Sequence, residues 1–204
     1  MTYDASFHSG RAATSYRSPF IGTRQVVTSA HFLATAIGNR ILDEGGNAVD
    51  AGVATGIAIN TTMPHFTNFG GVAPIIIYLA DRDEVTTISG LGRWPRDHTL
   101  DEHTKRWGDR IPFGISPTMT PGAPDAWLTA LELYGTMTLE DVLMPSVELA
   151  ENGFPVAFSY SYMLEKAASQ DFLRQWPANR DLLMPGGRVL NVGERMINAD
   201  QARL

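Results

Sequence analysis

Gly45-Gly46-Asn47-Ala48-Val49-Asp50-Ala51 joins two apolar segments through a helix stop and a helix start packed into seven residues. The first helix is expected to end at Glu44, because Gly45 readily takes the left-handed conformation that closes a helix. Gly46 lets the chain turn. Asn47 then caps the next helix with its side-chain oxygen, and Asp50, three residues on, reaches back as in a capping box. Beyond it, Ala51-Gly52-Val53-Ala54-Thr55-Gly56-Ile57-Ala58-Ile59 is small or apolar on every face. A helix without a polar face has to be buried. The stretch therefore predicts an αα corner that drops a core helix into the middle of a domain.

Upstream, Ala30, Leu33, Ala34, Ile37, Ile41 and Leu42 recur at helical spacing and predict an amphipathic helix over 30–43. Val26-Val27-Thr28 is a short strand candidate, and residues 1–22 read as an irregular arm. Downstream, Met63-Pro64 stops the core helix. His65 to Ala73 is a loop that feeds Ile75-Ile76-Ile77-Tyr78-Leu79. Asp81-Arg82-Asp83-Glu84 is a charged turn and Val85-Thr86-Thr87-Ile88-Ser89 the return, which together make a hairpin. The first run is apolar on both faces, so its strand is expected inside a covered sheet. Residues 97–111 are charged and read as a solvated excursion. Helices follow at 125–134 with Gly135 as the stop, at 138–152 with Pro145 in the early turns, and at 159–170. The last residues, Asp200 to Leu204, resemble a helix start.

Composition excludes several functions. The net charge is −6 and no basic stripe appears, which argues against nucleic acid or an anionic membrane as partner. There is no cysteine, hence no disulfide, thiolate nucleophile or cysteine metal site. Residues 1–18 lack an apolar segment of the signal-peptide kind, and no run suits a transmembrane helix, so a cytoplasmic location is expected. The five histidines, His8, His31, His65, His98 and His103, show no helical zinc-site pairing with Glu, and no metal is expected. Neither a G-x-S-x-G elbow nor a phosphate loop is present.

Two stretches can carry binding chemistry. Asn68-Phe69-Gly70-Gly71 places adjacent glycines before a buried strand. Such a loop either lets successive N–H groups cradle an anion or is simply a tight, closely packed turn. Gly90-Leu91-Gly92-Arg93 leaves the hairpin with an Arg, which can clamp a carboxylate with two hydrogen bonds or sit in a surface ion pair.

The order of these pieces resembles the large subunit of the γ-glutamyltranspeptidase family. Ala30 to Ala51 is similar to the family's opening, which ends in GGNAxDA, and Pro64 to Gly71 to its proline-then-glycine loop. Pro121-Gly122-Ala123 is similar to its V-P-G segment, Tyr134-Gly135 to its Y-G, and Pro145 to Phe154 to its P-x-I-x-L-A-x-x-G-F. Leu190-x-x-Gly193-Glu194 falls where the family has L-x-x-G-D. The resemblance covers residues 24–204. It implies an α+β fold of the N-terminal nucleophile hydrolase type, a four-layer αββα sandwich, of which residues 23–204 form the N-terminal part of the large subunit. It also implies a precursor that cuts itself to expose an N-terminal Thr on a separate small subunit. That Thr attacks a small-molecule amide and needs no cofactor, because its own α-amine activates the hydroxyl. The small subunit is thus the expected partner, with a higher oligomer possible.

Two departures matter. No Thr-Thr-His-like motif occurs in these 204 residues, so no catalytic residue is expected in the chain. The family's carboxylate-binding Arg stands four residues before the proline of the strand-end turn. Counting back from Pro95, that position is Leu91, and Arg93 is the nearest Arg. The substrate-binding residues expected are therefore Arg93, Leu91, Asn68, Gly70 and Gly71, on an amide hydrolase whose acyl group need not be γ-glutamyl. The alternatives are a true γ-glutamyl hydrolase or transferase acting on glutathione-like amides, and an inert binding or structural member.

Overall fold

The computed structural model describes residues 20–112, 114, 118–169 and 173–204. Most of the expected arm, residues 1–19, lies outside the described residues. Helix α1 (Phe32–Asp43) and helix α2 (Ala48–Thr62) form the corner. Gly45 sits at φ +100°, Gly46 N–H donates to Ile41 O at 2.9 Å and Gly45 N–H to Leu42 O at 3.2 Å. These are the two hydrogen bonds of a Schellman stop. Both arms of the Asn47–Asp50 capping box are present. α1 starts two residues later than its periodicity suggests, because His31 is its cap: the ring Nδ1 accepts from Leu33 N–H at 3.3 Å. Burial pushes that imidazole below its ordinary pKa.

α2 is the core element. Ala54 and Ala58 are fully enclosed, and Val53 and Ile57 almost so. Each enclosed Val or Ile contributes about 1.5–3 kcal/mol over its exposed state. α1 crosses α2 at Gly38, where an added Cβ would lie 2.2 Å from Thr55 Oγ1. Helix α4 (Ala123–Tyr134) crosses α2 at Gly56, which faces the Trp127 indole. Helix α5 (Leu139–Asn152), capped by Thr138 and carrying Pro145 inside, closes the bundle through Val142.

The hairpin is strand β1 (Ile75–Leu79) paired antiparallel with strand β2 (Glu84–Ile88), Ile75 opposite Ile88 and Leu79 opposite Glu84. The expected cover over this sheet does not lie among the described residues. Ile77 is buried, whereas Ile76 and Tyr78 on the other face are 78% and 60% exposed. Among the described residues β1 has one neighbour, and nothing packs on its outer face. Val26–Thr28 finds no ladder partner and is not a strand. The excursion at 97–111 is also not a plain loop. It contains helix α3 (Leu100–Trp107), capped by Thr99, with Asp101 and Glu102 in its first turn and Lys105 and Arg106 in its last, the charge order that suits the helix dipole.

A second core gathers Phe154, Val156, Tyr160, Leu164 and Met196. It joins the short pair β3 (Phe154–Pro155) and β4 (Arg195–Met196) to helix α6 (Phe158–Ser169) and to α7 (Pro177–Leu183), a helix the sequence reading did not anticipate. Glu194 anchors the turn before β4. A forked pair with Arg188 at 2.7 Å, reinforced by Asn191 N–H, holds its carboxyl down at about 2. Helix α8 (Ala199–Arg203) follows. The class is α+β.

Candidate functional site

The loop at 68–71 and the turn at 90–93 meet, and the segment before α4 binds them together. Gly71 O accepts from Gly122 N–H at 3.0 Å and Ala123 N–H at 3.1 Å. Gly90 O accepts from Ala73 N–H, and Arg93 O from Thr120 N–H, both at 3.1 Å. The backbones touch, which is why glycine is required. A Cβ on Gly92 would lie 1.7 Å from Thr120 O, and one on Gly90, itself at φ +55°, 2.1 Å from Ala73 O. Three segments far apart in sequence thus form one rigid knot at the N-terminus of α4.

Within the knot, Gly71 N–H is taken up by Asn68 O at 2.9 Å, so that donor serves the turn rather than an anion. Phe69 pins the loop by setting its ring edge-on to Trp127, centroids 5.5 Å apart. Asn68 and Gly70 remain exposed. Leu91 is 58% exposed although apolar. Arg93 is exposed and its guanidinium makes no ion pair among the described residues. Among the described residues, the same short turn therefore presents a cation without an ion pair and a bare apolar side chain, on a backbone held by the hydrogen bonds of the knot. A cleft of about 570 Å³ lies nearby between α2 and β1, walled by Gly52, Gly56, Asn60, Ile77 and Trp127, and none of the five predicted binding residues lines it.

Sequence reasoning missed the part played by Asp50 beyond its cap. The fully buried carboxylate also accepts from Thr136 Oγ1 at 2.7 Å, Thr136 N–H at 3.0 Å and Met137 N–H at 3.2 Å. Burial alone would raise its pKa, but these bonds together with that from Asn47 N–H hold it below the usual carboxylate range. Asn47 Nδ2 in turn donates to Tyr134 O at 2.7 Å. The corner is thereby clamped to the α4–α5 connection. A local signal existed for the cap and none for the clamp, whose partners lie 86 or 87 residues away.

The sequence matches the family described as gamma-glutamyltranspeptidase over residues 34–204. The chain belongs to the γ-glutamyltranspeptidase family. Among curated relatives it is 36% identical over 184 residues to the glutathione hydrolase-like YwrD proenzyme of Bacillus subtilis, covering 89% of this chain and 34% of that protein. It is 34% identical over 200 residues to the acylase ACY 1 proenzyme of a Pseudomonas species, covering 93% of this chain and 35% of that protein. The crystal structure of Helicobacter pylori γ-glutamyltranspeptidase superposes with a TM-score of 0.83 at 27% identity, over 91% of this chain and 54% of that one. The chain spans about a third of the length of these curated relatives. In this γ-glutamyltranspeptidase-family chain, the knot is where the strand-end turn, with Leu91 and Arg93, meets the glycine loop through the segment before α4.

Proposed function

We propose that this chain is the N-terminal part of the large subunit of a self-processing amidohydrolase. The nucleophile is an N-terminal Thr on a separate small subunit, outside these 204 residues. The complete fold is the four-layer αββα sandwich. In support of it, among the described residues β1 has an unpaired edge and an open outer face that further strands would cover. The chain supplies substrate contacts rather than the attacking group.

The observation that carries the substrate reading is Leu91, bare and apolar on the turn where the family resemblance expects an Arg. An apolar side chain cannot pair with an α-carboxylate, so the acyl group differs from γ-glutamyl. A relative named as an acylase accords with this. Arg93, two residues on and without an ion pair among the described residues, favours a second reading, in which it holds the carboxylate of a glutathione-like amide. Steady-state kinetics of the processed full-length enzyme on γ-glutamyl and neutral acyl nitroanilides separates the two. The first reading expects kcat/KM for a neutral acyl group to exceed that for γ-glutamyl. A γ-glutamyl preference that Arg93→Ala abolishes would establish the second.

A further inference from the structure

Trp94 follows Arg93 directly and begins a hollow of about 450 Å³ walled by Trp94, His98, Thr99, Leu100, His103 and Ile111. The volume is in the range of small-molecule sites. Trp94, Leu100 and Ile111 are 47%, 79% and 78% exposed, a concentration of bare apolar surface that a charged surface helix does not otherwise need. Among the described residues, none of those lining it is a Lys, Arg, Asp or Glu.

The wall is also flat and held in place. Trp94 stacks on His98, centroids 4.8 Å apart, and His98 stacks on Trp107 at 5.9 Å. His103 Nε2 lies 3.1 Å from Arg110 O, a group that only accepts, so the proton sits on that nitrogen. His103 Nδ1 is then free to accept from His98 Nε2–H at 3.3 Å. The two imidazoles and the Arg110 carbonyl thus form one hydrogen-bonded chain along the wall. The turn that leads into the hollow is fixed as well, by Thr120 N–H on Arg93 O.

We propose that this hollow receives a flat, uncharged acyl group of the amide substrate, of the arylacetyl class, and so sets acyl specificity. The proposal rests on the amidohydrolase reading and extends it from Leu91 to α3. A γ-glutamyl head, with an ammonium and a carboxylate, would find no Lys, Arg, Asp or Glu side chain among the described residues of the lining, whereas an aromatic ring gains stacking on Trp94 and contact with Ile111.

The test uses the processed full-length enzyme with phenylacetyl and acetyl nitroanilides, in the wild type and in Trp94→Ala and Ile111→Ala. The expected result is a wild-type preference for phenylacetyl that falls about tenfold in each variant, the scale of a lost apolar contact in a pocket, with acetyl turnover within about twofold of wild type. An equal loss on both substrates would mean that another part of the polypeptide covers the hollow, and would overturn the proposal. So would an unchanged ratio. Quenching of tryptophan fluorescence by phenylacetamide supplies a readout free of turnover. Saturable quenching that Ile111→Ala weakens, in an enzyme that cleaves no amide, would keep the pocket and discard the amidohydrolase reading. No saturable change would discard the pocket whatever the enzyme cleaves.

Discussion

Asp50 and Arg93 are opposite cases of a charge placed by a turn. Asp50 is wholly buried, and every donor it needs comes from the α2 cap and the α4–α5 connection. Arg93 is exposed and has no ionic partner among the described residues, although its backbone is held as firmly as that of the corner. The comparison teaches how to tell a charge that builds the fold from one left available to a ligand. The first is satisfied internally, and removing it leaves buried donors empty. The second costs little to remove and matters only when something binds.

The largest expected effect is at the corner. Asp50→Ala leaves the Thr136 and Met137 N–H groups buried without an acceptor, and stability should fall by about 3 kcal/mol, read by urea unfolding. A loss below about 1 kcal/mol would erase the distinction between the two charges. At the knot, Gly92→Ala forces a methyl against Thr120 O, at a cost of about 1–3 kcal/mol, and should also lower amide turnover by displacing the turn. Unchanged melting and kinetics would show that the knot yields readily. Gly45→Ala isolates a smaller, purely backbone cost. Nothing stands near its missing Cβ, so the φ of +100° alone should cost about 1–2 kcal/mol.

Acid should act on the corner too. The folded pKa of Asp50 is depressed, so its contribution is complete above the ordinary carboxyl value of about 3.9 and is lost as pH falls through the folded value. Urea midpoints should therefore drop below about pH 4 more steeply in the wild type than in Asp50→Asn. Matching slopes would remove Asp50 from the acid transition. The smallest expected stability effect is that of Arg93→Ala, within about 0.5 kcal/mol of wild type, with any consequence confined to substrate binding.

The αα corner was legible because its signals are local: Gly45 for the stop, Asn47 with Asp50 for the start, and an all-apolar run after it. The hairpin was legible from two apolar, β-branched runs about Asp81–Glu84, and its register came with the fold. What was not legible depended on distance. Nothing near Asp50 announces Thr136, and nothing in Gly90–Arg93 announces that Gly122 and Thr120 bind it to the glycine loop. The open face of β1 was not legible, because an apolar strand reads as covered whether or not its cover lies within the described residues. α3 was missed because its charges obscured a short helix, although Thr99 followed by two acids was the available cue. The two candidate stretches, Asn68–Gly71 and Gly90–Arg93, were read from their residues, and the interest of Leu91 from the family resemblance. Their meeting in one knot came only with the fold.

Self-processing is the central claim, and intact mass spectrometry with N-terminal sequencing of the full-length gene product tests it most directly. The account predicts two chains, the smaller beginning with Thr, while a single uncleaved chain with amide turnover absent would contradict it.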